Sequence, residues 1–262
     1  MNIVNSADGT KIAYDKLGEG PALILVDGAL CSRSSGSKPE LVNLLAPHFT
    51  VYSYDRRGRG DSGDTLPYAV EREIEDIGTL IDDAGGTASL YGHSSGASLA
   101  LDATVTLGKV DKLAMYEAPY DDDPAAQQAW HVYLRQLTEA LAADRRGDAA
   151  ALFMRYVGTP AEQVDGMRQA PFWPSFEAIA PTLAYDHTAI QGPDNSVPTE
   201  RAARVGVPAL VLHGSASPPF MGATARTLSQ VMPHAQLRTL DGQTHQVDPG
   251  VLTPVLVEFF AA

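Results

Sequence analysis

Two stretches without a polar side chain, Ala22-Leu23-Ile24-Leu25-Val26 and Ala209-Leu210-Val211-Leu212, limit what this chain can fold into. A strand with one face in water alternates apolar and polar residues. A strand that is apolar at every position is covered on both faces. Further β-like runs occur at 51–54, 88–91, 113–116 and 236–240, with helical patterns at 70–81 and 95–106. Buried strands alternating with helices predict a parallel sheet with helices on both sides. Residues 11–15 alternate after the turn Ala7-Asp8-Gly9, so the chain should open with a hairpin. The expected class is α/β, with a mostly parallel central sheet of about eight strands.

The interval between the strands at 113–116 and 209–212 is too long for a simple crossover. It holds helical patterns at 125–144 and 148–157 and an irregular stretch at 171–185. The reading is an inserted helical cap over 119–200 on a core made of 1–118 and 201–262. Both tryptophans fall in the insertion. Trp130, Phe153 and Trp173 are candidates for lining a substrate pocket; the alternative is that they form the core that a small cap needs for itself. Asp121-Asp122-Asp123-Pro124 invites a metal-site reading, but it reads better as a helix start, with Asp123 as N-cap and Pro124 at the first helical position. No cofactor or metal motif is read.

The net charge of −13 argues against nucleic acid and anionic membrane surfaces as partners. A small-molecule substrate is expected instead. The single cysteine, Cys31, excludes an internal disulfide and fits a reducing compartment. Its side chain reads as a small buried apolar group. The opening Met1-Asn2-Ile3-Val4-Asn5 lacks the features of a signal peptide, and no apolar run approaches the ~18–20 residues of a membrane span. A cytoplasmic location is expected.

The chemistry centres on Gly92-His93-Ser94-Ser95-Gly96, between a β-like run and an alanine-rich helix. A serine with glycines two residues away on each side, at a strand-to-helix turn, is the signature of a nucleophile elbow. The glycines let backbone segments approach where a Cβ would not fit, and the serine is held in a strained conformation that lifts its hydroxyl above the sheet. Such a serine needs a base. His245, on the loop after the last predicted strand, is the candidate. His93 lies inside the elbow and should point away from the serine pocket. His213 ends a strand, His131 and His187 fall in the insertion, and His48 and His234 adjoin prolines.

At this point the chain resembles the α/β-hydrolase superfamily, in its serine-nucleophile branch, over essentially its whole length. The resemblance rests on Asp27-Gly28-Ala29-Leu30, on Asp55-Arg56-Arg57-Gly58-Arg59-Gly60-Asp61-Ser62-Gly63, on the elbow, on His213-Gly214-Ser215-Ala216-Ser217-Pro218, and on His245. It implies that the arginine-rich loop has a structural role. It also implies an oxyanion hole made by the backbone N–H groups of Ser95 and Ala29. Asp27 stands where the family usually has a histidine, so a carboxylate lies near that hole.

A second departure concerns the acid. The family usually places an aspartate where this chain has Ser217. Some members, including a branch of the haloalkane dehalogenases, place it at the end of the earlier strand, which here is Glu117. The competing role for Glu117 is an ion pair with an arginine of the 56–59 loop. The resemblance implies a serine hydrolase acting on a small, rather apolar ester, thioester or lactone through an acyl-enzyme on Ser94. Alternatives are carbon–carbon bond hydrolysis or cofactor-free perhydrolase/haloperoxidase chemistry on the same residues. Another is a catalytically weak or inactive ligand-binding homologue, which Ser217 and Asp27 together would explain.

Overall fold

The computed structural model describes residues 1–36 and 38–262. One eight-stranded sheet runs through the molecule in the order β1-β2-β4-β3-β5-β6-β7-β8. Its strands are β1 (Asn2–Asn5), β2 (Lys11–Leu17), β3 (Ala22–Val26), β4 (Thr50–Tyr54), β5 (Ala88–His93), β6 (Val110–Tyr116), β7 (Ala209–Gly214) and β8 (Ala235–Leu240). β1 and β2 form the expected antiparallel hairpin, and β2 pairs antiparallel with β4. All other pairings are parallel.

The helices are α1 (Lys38–Leu45), α2 (Val70–Asp83), α3 (Ser95–Leu107), α4 (Pro124–Ala142), α5 (Arg146–Tyr156), α6 (Ala161–Met167), α7 (Trp173–Ile179), α8 (Thr199–Ala202), α9 (Pro219–Val231) and α10 (Pro249–Ala261). Alternate residues of each central strand feed opposite layers. Ile24, Val26 and Met115 pack with Ile77 and Leu80 of α2, Leu99 of α3 and Leu228 of α9. Leu23, Leu25 and Tyr116 pack with Leu41 of α1 and Leu256 and Phe260 of α10. Both layers exclude water, which is why β3 and residues 209–212 of β7 have no polar side chain.

Helices α4 to α8 lie between β6 and β7 in the chain. Asp123 caps α4, its carboxylate accepting from the N–H groups of Ala125 and Ala126 at 2.8 and 3.1 Å. The stretch at 171–185, expected to be irregular, is mostly helical. Trp173–Ile179 forms α7, a 3-10 turn spans Ala180–Thr182, and a π-helical turn begins at Tyr185. Pro174 and Pro181 sit at helix starts, where a missing N–H breaks no bond, so they punctuate these helices without preventing them. Among the described residues, no helix is long and apolar enough to cross a membrane.

Candidate active site

Strand register brings the candidate residues to one edge. His93 is level with Tyr116, and Tyr116 with Leu212. The chain bonds onward past the strand ends: Ser94 N–H donates to Tyr116 O at 2.9 Å, and Glu117 N–H to Leu212 O at 3.0 Å. Ser94 and Glu117 therefore leave neighbouring strands at the same carboxyl edge, where open parallel sheets commonly carry their sites.

Ser94 has φ 58° and ψ −131°, a conformation that costs a non-glycine residue on the order of 1–3 kcal/mol. The glycines of the elbow are needed for close approach. A Cβ on Gly92 would sit 2.5 Å from Ala97 Cα and 2.6 Å from Gly96 O, and one on Gly96 would run into the carbonyls of Val26 and Asp27.

Glu117 is also held at positive φ, 49°, and is buried. Its Oε2 lies 2.7 Å from His245 Nδ1, and its Oε1 accepts from the Gly214 N–H at 2.8 Å. Burial alone would raise the carboxyl pKa; the bond to His245, the neighbouring Ser217 side chain and the Gly214 N–H outweigh it and hold the pKa below the usual range. Ser217 Oγ is buried beside the carboxylate but outside hydrogen-bonding geometry, so its influence is that of a nearby dipole. None of the arginines at 56, 57 and 59 bonds Glu117. Arg56 is bidentate to Glu73 at 2.7 and 2.8 Å, and Arg57 to Asp76 at 2.8 Å on both oxygens.

The loop carrying His245 is fixed from below. Tyr116 Oη donates to Thr244 O at 2.6 Å. His93 takes part as well, from inside the elbow. Its Nε2 lies 3.0 Å from His245 O, and since a carbonyl only accepts, Nε2 carries the proton. The two imidazole rings are 4.9 Å apart. Enclosure in protein and the adjacent His245 push the His93 pKa down to about 3, so this support stays neutral.

The loop after β3 passes directly over the serine. A Cβ on Gly28 would stand 2.9 Å from Ser94 Cβ and 3.4 Å from Ser94 Oγ. The Gly28–Ala29 peptide therefore borders the hydroxyl, and the Ser95 N–H opens α3 beside it, free of any helical partner. Asp27 is neutralised by an ion pair with Lys38 of α1. Cys31 is half-buried, and desolvation raises its thiol to about 11, which keeps it protonated.

Trp130 and Trp173 are buried in the insertion's own apolar cluster, against which the half-buried Phe153 packs. Trp130 Nε1 donates to Gly192 O at 3.0 Å and Trp173 Nε1 to Glu177 Oε1 at 2.9 Å. The same cluster takes in Leu30, with Ala29 against it, so the insertion packs on the loop that borders Ser94.

Two residues of this region carry no sequence motif, Lys38 and Asp186. Asp186, in the π-helical turn Tyr185–Ile190, is fully buried and bonds Arg56, Arg59 and Ser95. Arg56, Arg59 and Asp186 meet only in the folded chain: α2 turns Glu73 and Asp76 inward, and Asp186 comes from the far side of the chain to complete the pairing.

A sequence profile of the alpha/beta hydrolase family matches residues 28–255, and the chain belongs to that family and is an enzyme of the hydrolase class. An alpha/beta hydrolase from Sphaerobacter thermophilus DSM 20745 is 49% identical, with a TM-score of 0.87 over 99% of this chain and 100% of its own. The enol-lactonase from Burkholderia xenovorans LB400 has the same fold, at 23% identity and TM-score 0.74, over 100% of both chains. A pimeloyl-[acyl-carrier protein] methyl ester esterase of Xanthomonas oryzae pv. oryzae is 36% identical over 105 residues. That match spans 40% of this chain and only 39% of the relative's length.

Proposed function

We propose that the protein is a serine hydrolase that cleaves small, rather apolar esters, thioesters or lactones through an acyl-enzyme on Ser94. The observation that carries this reading is the 2.7 Å contact between His245 Nδ1 and Glu117 Oε2, at the sheet edge where Ser94 leaves its strand in a strained turn. With Glu117 ionised, Nδ1 holds the imidazole proton and Nε2 is left as the base. His245 takes the Ser94 proton as Oγ attacks the carbonyl carbon. The oxygen that becomes negative is received by the N–H groups of Ala29 and Ser95. The tetrahedral adduct collapses, the leaving group takes the proton from His245, and water activated by the same imidazole releases the acid.

Two sequence features that favoured a non-catalytic reading have counterparts here. Glu117 stands where a missing acid at Ser217 would matter, and Lys38 neutralises Asp27. The partial likeness to a methyl ester esterase supports an ester as the substrate class.

A fluorophosphonate probe and a panel of p-nitrophenyl esters of increasing chain length test the reading. Labelling is expected on Ser94, with turnover best for short acyl chains. A folded protein that neither labels nor turns over any ester, thioester or lactone would overturn it.

A further inference from the structure

The residues around Ser94 are tied to the insertion by one buried carboxylate. Asp186 Oδ1 accepts from Ser95 Oγ at 2.7 Å and from Arg56 Nη1 at 2.7 Å, and Oδ2 accepts from Arg59 Nη2 at 2.6 Å. The two guanidinium groups do not stop at Asp186. Arg56 Nη1 also donates to Asp27 O at 3.0 Å, and Arg59 Nη1 donates to Gly28 O at 2.9 Å. The last bond matters most. Gly28 C=O and Ala29 N–H belong to one planar trans peptide and point in opposite directions. A donor fixed on the Gly28 carbonyl therefore fixes the direction of the Ala29 N–H. The same carboxylate holds the residue whose backbone supplies the second N–H, Ser95.

The loop needs such a restraint. Leu30, just after this peptide, has φ 53°, a conformation that a leucine does not keep without support. Asp186 sits on a π-helical turn, a rare element often found at functional positions. The Asp186 carboxylate, Arg56 and Arg59 are completely enclosed, with side-chain exposures of 0%. Burial favours the neutral acid, but the Arg56 and Arg59 charges, His187 and the Ser95 hydroxyl bring its pKa down to about 2. It stays charged throughout the working range.

Resting on the serine hydrolase reading above, we propose that Asp186 is a positioning residue. Through Ser95 and through Arg59 on Gly28 O, it sets both backbone donors of the oxyanion site, and so makes catalysis depend on the insertion being docked. A buried carboxylate that only stabilised the fold would leave turnover per folded molecule unchanged. One that sets the donors acts on the tetrahedral state and leaves the ground state nearly alone.

The test uses the full chain with Asp186→Asn and Arg59→Lys. Asp186→Asn keeps an acceptor but removes the charge; Arg59→Lys keeps the charge but loses the fork that reaches both Asp186 and Gly28 O. Active sites are counted by fluorophosphonate labelling, turnover is measured on p-nitrophenyl acetate, and affinity on a trifluoromethyl ketone, whose adduct with serine is a tetrahedral anion. The expected result is a fall in kcat per active site of about 10- to 100-fold. KM should stay within about threefold, and ketone affinity should fall in parallel with kcat. Should Asp186→Asn fail to fold, Arg59→Lys decides, because it leaves no unpaired buried charge. Folded variants whose kcat and ketone affinity stay within about twofold of the native values overturn the proposal. A native protein that neither labels nor hydrolyses esters overturns the hydrolase reading itself, which is a different result.

Discussion

Glu117 Oε2 lies 2.7 Å from His245 Nδ1, although 128 residues separate them in the chain. The contact forms because β6 ends beside β7, and because the loop after β8 is pulled back over both by Tyr116 Oη and His93 Nε2. Glu117 is the first residue past β6, at φ 49°, and its carboxylate faces the imidazole. The carboxylate that meets His245 thus follows the sixth strand, and the Ser217 side chain lies beside it.

Ser217→Ala tests that division of roles. Ser217 Oγ is buried without a hydrogen-bond partner, and removing an unsatisfied buried hydroxyl costs little or stabilises. Turnover of p-nitrophenyl acetate should stay within about threefold of native, and thermal stability should be equal or slightly higher. A loss of turnover of about a hundredfold or more would mean that Ser217 acts on His245 directly.

Gly28→Ala should hinder access to the Ser94 hydroxyl without unfolding the chain. The added methyl would stand 2.9 Å from Ser94 Cβ, which no serine rotamer moves, and 3.4 Å from Ser94 Oγ, so the loop or the elbow backbone must shift to relieve it. The expected outcome is a drop in kcat/KM of roughly tenfold to a hundredfold, with slower fluorophosphonate labelling and nearly unchanged circular dichroism. Native labelling kinetics would contradict the placement of this loop over Ser94.

Stability should fall on the acid side through the buried His187 and the half-buried His93. Burial lowers the His187 pKa from 6.5 to about 4 and the His93 pKa from 6.5 to about 3. The unfolded chain therefore takes up these protons first as pH falls, and stability increases with pH in this window. The loss should begin near pH 6.5 and run to about pH 4 for His187 and about pH 3 for His93. Thermal unfolding from pH 7 to 4 checks it: His187→Gln should show a shallower decline than native. Equal slopes would mean that His187 is protonated in the folded state.

Much of this arrangement was legible before any coordinates. β3 and β7 were readable because both faces are buried, and Ser94 because its glycines answer to real collisions with Ala97 and Val26. Glu117 was readable only by combining an absence at Ser217 with the position of a strand end. The helix Trp173–Ile179 was not, because Pro174 resembles a breaker until it is seen in the first turn of the helix. Nor was Asp186, which meets Arg56 from 130 residues away, or Lys38 of α1, whose partner Asp27 lies in the loop after β3. Glu73 and Asp76 of α2 are charged residues turned inward, a pattern that helical periodicity alone assigns to solvent. Long-range charge pairing leaves no local signature, and it is what seats the loops around Ser94.

The most direct measurement is the steady-state kcat of Glu117→Gln on p-nitrophenyl acetate, normalised to active sites titrated with a fluorophosphonate. Glutamine keeps the size and an acceptor for Gly214 N–H but cannot stabilise the imidazolium. The expected result is a folded enzyme whose kcat is lower by about 10³–10⁴. A kcat within about threefold of native would contradict it and remove Glu117 from the chemistry.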